Sequence, residues 1–265
     1  AIVTMPSLKP DAAVDVAERK AIKGLRPFSK ADAVIFSRLQ RDSSLRECYE
    51  AVTSETYKFG ILLGESGCGK TSFLQAGLLP LLSQPDSLHA AVYVRFSDEE
   101  PIKTVSKALI EQLEVPFDKT QSHALPELLS QALETKGKPI VLLFDQFEQF
   151  FVHNPRQENR VAFVQALADW YQDPTLDSIK LLVSIRADME HELHGVYQAL
   201  EYAPGLQERI KLDRFTPEEA TKILAVIAET EGMKFEPRFV TGVAEQELAN
   251  RESGTISPVD LQILA

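Results

Sequence analysis

One octapeptide constrains the fold more than any other stretch: Gly64-Glu65-Ser66-Gly67-Cys68-Gly69-Lys70-Thr71. An apolar run, Phe59-Gly60-Ile61-Leu62-Leu63, precedes it and reads as a buried strand. Residues Ser72 to Leu79 follow with apolar side chains at helical spacing. Strand, glycine-rich loop and helix in that order match the phosphate-binding pattern G-x-x-x-x-G-K-[ST]. Glycines admit positive φ and close backbone approach. The successive amides then form an anion nest at the positive end of a helix. In this pattern Lys70 reaches the β- and γ-phosphates and the Thr71 hydroxyl ligates Mg²⁺. The expected nucleotide contacts are therefore Gly64, Glu65, Ser66, Gly67, Cys68, Gly69, Lys70, Thr71 and Ser72.

The chain has 265 residues, 44% of them hydrophobic, enough for one large α/β domain or a core with a small helical companion. A formal net charge of −11 argues against a broad nucleic-acid face. Cys48 and Cys68 cannot make a metal site alone and do not form a secreted disulfide framework, which fits a reduced, cytoplasmic setting. No apolar run approaches the ~20 residues that span a bilayer, so no membrane partner is expected. Residues 1–20 mix charges with prolines, unlike a signal peptide.

Residues 1–23 read as a leader with a charged helix over Asp11–Lys23. Ser29, with Asp32 in the capping-box position, starts a helix carrying Ala33, Val34, Phe36 and Leu39. A second helix is expected from Leu45 to about Ser54, capped by Ser44. Further strands are expected over Ala90–Phe96, Pro139–Phe144 and Lys180–Ile185, with a short edge strand at Ile210–Leu212. Helices are expected over Pro101–Leu113, Leu125–Lys136 and Asn159–Tyr171, with Trp170 packing rather than stacking on a ligand. From Asp213 the texture becomes helical. Thr216-Pro217-Glu218-Glu219 combines a cap, a first-turn proline and a capping-box Glu. That helix runs to about Glu231; another spans Pro237–Asn250, and Ser257-Pro258 opens a last one. The expected organisation is a leader (1–23), an α/β nucleotide-binding domain (24–212) and a helical lid (213–265).

Ligands of parallel sheets gather at the carboxyl ends of strands. Asp145 ends the second apolar run, where a Walker B aspartate holds Mg²⁺ through water; the alternative is a helix cap or surface turn. Glu148 follows three residues later and is either the general base toward water or an ordinary solvated Glu. Gln146 stands where many ATPases place an acid, and an amide orients water without accepting its proton. Arg186 ends the third run and either reaches the γ-phosphate or pairs with Asp188 or Glu190. Cys68, inside the loop, is a small packing residue or a site where oxidation blocks binding. His89, His123, His153, His191 and His194 show no metal spacing beyond a weak His191/His194 pair. No Asn-Lys-x-Asp segment points to GTP.

Several segments together resemble the NTPase module of the STAND class, signal-transduction ATPases with numerous domains. They are Gly24–Phe28, Val34–Arg38, the loop with Leu74-Gln75-Ala76-Gly77-Leu78-Leu79-Pro80, Leu143–Phe151 and Ser184–Asp188. The bacterial novel STAND subgroup is the most similar, over roughly residues 24–262. The resemblance implies an additional-strand P-loop core, a parallel five-stranded sheet of order 5-1-4-3-2, followed by a helical lid. It implies an ATPase switch: ADP holds a closed monomer, a stimulus opens it, and ATP exchange permits homo-oligomerisation; slow hydrolysis is the expectation from Gln146, unless Glu148 takes over the role. It places Arg38 near the adenine or ribose, with Ser37 and Leu39 where the family carries Gly and an acidic residue. It places Pro258 against the base, although Pro258 also reads as a first-turn proline after the Ser257 cap. It further implies sensor and effector domains on the same parent chain and a winged-helix region after the lid. Two rivals stand beside this reading: an AAA+-like remodeller of protein or nucleic acid, with Arg209 as a trans finger, and a nucleotide-holding scaffold without catalysis.

Overall fold

Three continuous apolar runs become the middle of one parallel sheet. In the computed structural model, β1 (Phe59–Gly64), β2 (Ala90–Arg95), β3 (Ile140–Asp145), β4 (Ile179–Arg186) and β5 (Arg209–Lys211) lie in the order β2-β3-β4-β1-β5. That is the expected 5-1-4-3-2 order read from the opposite edge. The edge strand is shifted by one residue from Ile210–Leu212. The register sets Arg95 beside Asp145 and Phe144 beside Val183, so β2, β3 and β4 end nearly level. Every residue of β1 and β3 is buried, as a central parallel strand covered on both faces requires.

The structure describes residues 5, 26–116, 124–233, 236, 241–250 and 253–264. The leader helix over Asp11–Lys23, Gly24, Leu25, His123 and the first residues of the Pro237–Asn250 helix lie outside them. The helices are α1 (Ala33–Phe36), α2 (Asp42–Thr53), α3 (Lys70–Ser72), α4 (Leu79–Leu82), α5 (Pro101–Leu113), α6 (Leu125–Lys136), α7 (Glu148–His153), α8 (Gln157–Gln172), α9 (His194–Leu200), α10 (Pro217–Thr230) and α11 (Pro258–Leu264). A π-helical stretch, Phe73–Leu78, joins α3 to α4, and another covers Ala244–Leu248.

The described residues fall into two compact units. The first takes those of Cys48–Leu63 and Leu82–Lys211. Its core is built from the sheet and from α5, α6, α8 and α9, with Trp170 fully buried in it. At Gly60 a side chain is excluded: a Cβ there would lie 2.7 Å from both the Tyr57 hydroxyl and the Glu208 carbonyl. The second unit takes those of Met5–Glu47, Gly64–Leu81 and Leu212–Ala265. It therefore contains the phosphate-loop octapeptide, the helix behind it, the segment from residue 26 and the helical residues after Leu212, the expected lid.

Two N-terminal expectations need correction. The segment after Ser29 is a single 3₁₀ turn, Lys30–Asp32, followed only by α1. The Asp32 carboxylate accepts from the Ser29 amide and hydroxyl, both at 2.9 Å, but Gln40 turns left-handed at φ 59° and Leu39 packs outside the helix. Helix α2 starts at Asp42, so Ser44 is not its cap. The Leu45 amide already donates to the Arg41 carbonyl at 2.9 Å, and Asp42 suits the positive end.

Candidate functional site

In the second unit, the octapeptide folds as a tight turn into a helix. Gly67 and Gly69 take φ of +76° and +98°, a region that side chains with a Cβ rarely enter. Gly64 serves a different need. A Cβ there would lie 2.5 Å from the Cys68 sulfur and 2.7 Å from the Leu212 carbonyl. Lys70 is buried and folds back on the loop, donating to the carbonyls of Gly64 at 2.7 Å and Glu65 at 3.0 Å. Both are neutral acceptors, and an ammonium bonds a charged oxygen more strongly. Cys68 is fully buried, and burial pushes its thiol up despite nearby Lys70 and Arg41. It is a packing residue here.

The rest of the second unit closes on this loop. Ser72 Oγ accepts from the Phe28 amide at 3.1 Å. Gly77, in the π-helical stretch, leaves room for Phe36 and Leu45, whose carbons would lie 2.9 and 2.6 Å from a Cβ there. Arg214 pairs with Glu65 at 3.0 Å. The Ser257 hydroxyl donates to the Gly67 carbonyl at 3.3 Å, and the Pro258 ring stands against Gly69. Arg38 is exposed and pairs with Glu229 of α10. Arg41 is buried, donates to the Cys68 carbonyl at 3.1 Å, and lies over the Phe215 ring at 3.9 Å. Sequence reasoning missed Arg41, Phe215 and Arg214. Their only signal was an aromatic and two arginines flanking segments otherwise read as linkers.

In the first unit, Asp145 ends β3 fully buried. The Tyr93 hydroxyl donates to its Oδ2 at 2.6 Å and the Ser184 hydroxyl to its Oδ1 at 3.2 Å. Both donors come from neighbouring strands. Ser184 was legible as the one polar residue inside an apolar run; Tyr93 was not. Gln146 then turns left-handed at φ 56°, with its side-chain oxygen accepting from Arg95 Nε at 3.1 Å. This turn swings Phe147 inward, where it meets Phe96 at 5.0 Å, Phe150 at 5.3 Å and Phe151 at 5.4 Å between ring centroids. The aromatic anchor fixes the start of α7 and with it Glu148, which is buried rather than solvated. Arg186 is half-buried and grips Asp188 through two bonds of 3.0 and 2.7 Å, which raise its pKa; the nearby Glu148 charge adds to the shift. Arg209 pairs with Glu190 at 2.6 Å, so it is engaged within its own unit.

A Mg²⁺ ion fits the Asp145 carboxylate: an oxygen ligand supported by two hydroxyls suits a cation that is otherwise held by phosphates and water. Among the described residues no three His, Cys, Asp or Glu side chains converge as a metal site, and this mode of binding needs no such cluster. Among them too, no helix is long and apolar enough to cross a membrane.

The family model described as Novel STAND NTPase 1 matches residues 22–258. The chain belongs to this family. It is accordingly a P-loop NTPase module, and the resemblance carried by the motifs holds over nearly its whole length. No curated protein matches the sequence closely enough to name a relative. Among solved structures, the Walker-type ATPase PABY2304 of Pyrococcus abyssi aligns with TM-score 0.62 at 16% identity, over 90% of this chain and 68% of its own. The Aeropyrum pernix ORC2 protein, in ADPNP–ADP complexes, aligns with TM-score 0.59 at 14% identity, over 93% and 65%. Drosophila ORC bound to DNA aligns with TM-score 0.53 at 13% identity, over 99% and 64%. At such identities the likeness is one of fold. This STAND module spans less than two thirds of the latter two chains.

Proposed function

We propose that this STAND module is an ATP/ADP-dependent regulatory switch that hydrolyses ATP slowly. One observation carries the reading: the lid grips the phosphate loop, with Arg214 on Glu65, Ser257 on Gly67 and Pro258 against Gly69. A nucleotide that prefers one arrangement of the loop therefore biases the lid through the same contacts.

In this reading residues Gly64 to Ser72 take the phosphates, and Lys70 exchanges the Gly64 and Glu65 carbonyls for phosphate oxygens. Thr71 and Asp145 hold Mg²⁺, which when bound neutralises charge developing on the phosphates. Glu148 takes the proton of the attacking water. Arg186 leaves Asp188 to read the γ-phosphate, and Arg38 and Pro258 border the base. Slow turnover is supported by the amide at Gln146 and by the engagement of Arg186 with Asp188. The lid, 213–265, transmits the state to sensor and effector domains of a larger cytoplasmic protein, and the ATP state permits homo-oligomerisation.

The test is calorimetry with ADP and ATP in Mg²⁺ on the parent and on Lys70→Ala, beside steady-state phosphate release. Binding that disappears in the variant, with slow release indifferent to DNA, is the expected result. Unchanged binding in Lys70→Ala overturns the site. Fast or DNA-stimulated release supports a remodelling ATPase instead, against which the net charge of −11 argues.

A further inference from the structure

We infer that Arg41 is a positioning residue for nucleotide phosphate, setting the loop amide of Gly69 from behind. The inference rests on the phosphate-binding reading above and adds a residue outside its motifs.

Arg41 is 7% exposed. A guanidinium is rarely taken out of water unless its donors and its faces are used. Here one donor goes to a backbone oxygen, the Cys68 carbonyl at 3.1 Å, and the flat face lies on the Phe215 ring at 3.9 Å. No carboxylate bonds to it among the described contacts. The Glu219 and Asp213 carboxylates act on it through space and oppose the burial that lowers its pKa. The charge is thus spent on orienting a single peptide plane.

That plane is the Cys68–Gly69 peptide. The chain has no cis peptide bond among the described residues. In a trans peptide the carbonyl and the following amide point to opposite sides. Holding the Cys68 carbonyl toward Arg41 therefore turns the Gly69 N–H the other way. The phosphate-loop pattern aims such amides at the nucleotide. Gly69, at φ +98° and without a Cβ, does little itself to restrict the orientation of that plane, so an outside restraint has something to fix. The second anchor matters as well. Phe215 bridges Ile256 through two backbone bonds, its amide to the Ile256 carbonyl at 3.0 Å and the reverse at 2.7 Å. Ser257 and Pro258, the residues on Gly67 and Gly69, come next. One side chain thereby ties a loop amide to the base of the lid.

The experiment measures ADP and inorganic pyrophosphate binding by calorimetry for the parent, Lys70→Ala, Arg41→Met and Phe215→Leu, with circular dichroism confirming that each remains folded at the temperature used. Pyrophosphate probes the amide cradle without the base. Arg41→Met is expected to weaken both ligands by about tenfold, the loss of one charge-assisted bond. Phe215→Leu, which keeps the cation, is expected to weaken both by about threefold. A purely packing role would lower the melting temperature and leave the affinity of the folded protein unchanged; that result overturns the inference. If Arg41→Met does not fold, Phe215→Leu decides in the same way. If the parent itself binds neither ligand, the nucleotide reading fails first and the inference fails with it. Parent binding lost in Lys70→Ala but unmoved in the other two variants rejects the role of Arg41 alone.

Discussion

The Pro258 ring stands against Gly69 at the tightest point of the phosphate loop, with Cγ 3.5 Å from where a methyl on that glycine would sit. The contact is ordinary in distance. What a side chain at 69 cannot escape is its backbone, at φ +98°. Gly69→Ala should therefore lose roughly 1–3 kcal/mol of stability together with ADP binding, and adding Pro258→Ala should restore neither. Urea unfolding of the single and double variants checks this; recovery in the double variant would assign the cost to the ring instead.

Tyr93 holds one oxygen of the Asp145 carboxylate. Tyr93→Phe removes a donor from a buried charge and should cost about 1–3 kcal/mol. The same change leaves the carboxylate with one fewer competitor for a cation. Half-maximal activation by Mg²⁺ should fall to lower concentration, read by titrating Mg²⁺ in a phosphate-release assay. A requirement for more Mg²⁺ would mean that the hydroxyl helps hold the ion.

Glu148→Gln should reduce turnover by 100-fold or more, on the order of a general base's contribution, while ADP affinity stays within about twofold. The parallel measurement is release kinetics against calorimetry. Equal turnover in parent and variant would strip Glu148 of its role and leave it as packing beside the phenylalanine cluster.

His89 titrates at about 4, lowered from 6.5 by burial and then by Lys180 and Lys138. Its folded pKa lies below its unfolded one, so the unfolded chain binds more protons between them. The contribution is complete above pH 6.5 and is lost as the pH falls toward 4. His89→Gln should flatten the pH dependence of the urea midpoint across that window. An unaltered slope would place the acid sensitivity elsewhere.

The sheet was legible because continuous apolar runs admit little else: β1, β3 and β4 needed no knowledge of their partners. The boundaries of α5 and α6 were equally plain, since Pro101 and Gly137 mark a start and a stop. The N-terminal caps were not. Ser44 is a good cap by residue type, but the Leu45 amide already bonds the Arg41 carbonyl, so the helix begins two residues earlier, at Asp42. At the site, the loop and Asp145 follow from local pattern, whereas Arg41, Tyr93 and Phe215 act over separations that no local pattern records. Glu148 shows the same limit: its place three residues after Asp145 gives no indication that the fold buries it.

Phe36 and Leu45 fill the space left by Gly77, and the Phe28 amide rests on Ser72. The polypeptide between positions 28 and 45 is consequently a strap cinched across the back of the phosphate-loop helix. Its grip offers a gauge of what the loop is doing: a protease that nicks this strap should work faster whenever the helix beneath it loosens, giving a cleavage clock for nucleotide occupancy that needs no label and no turnover.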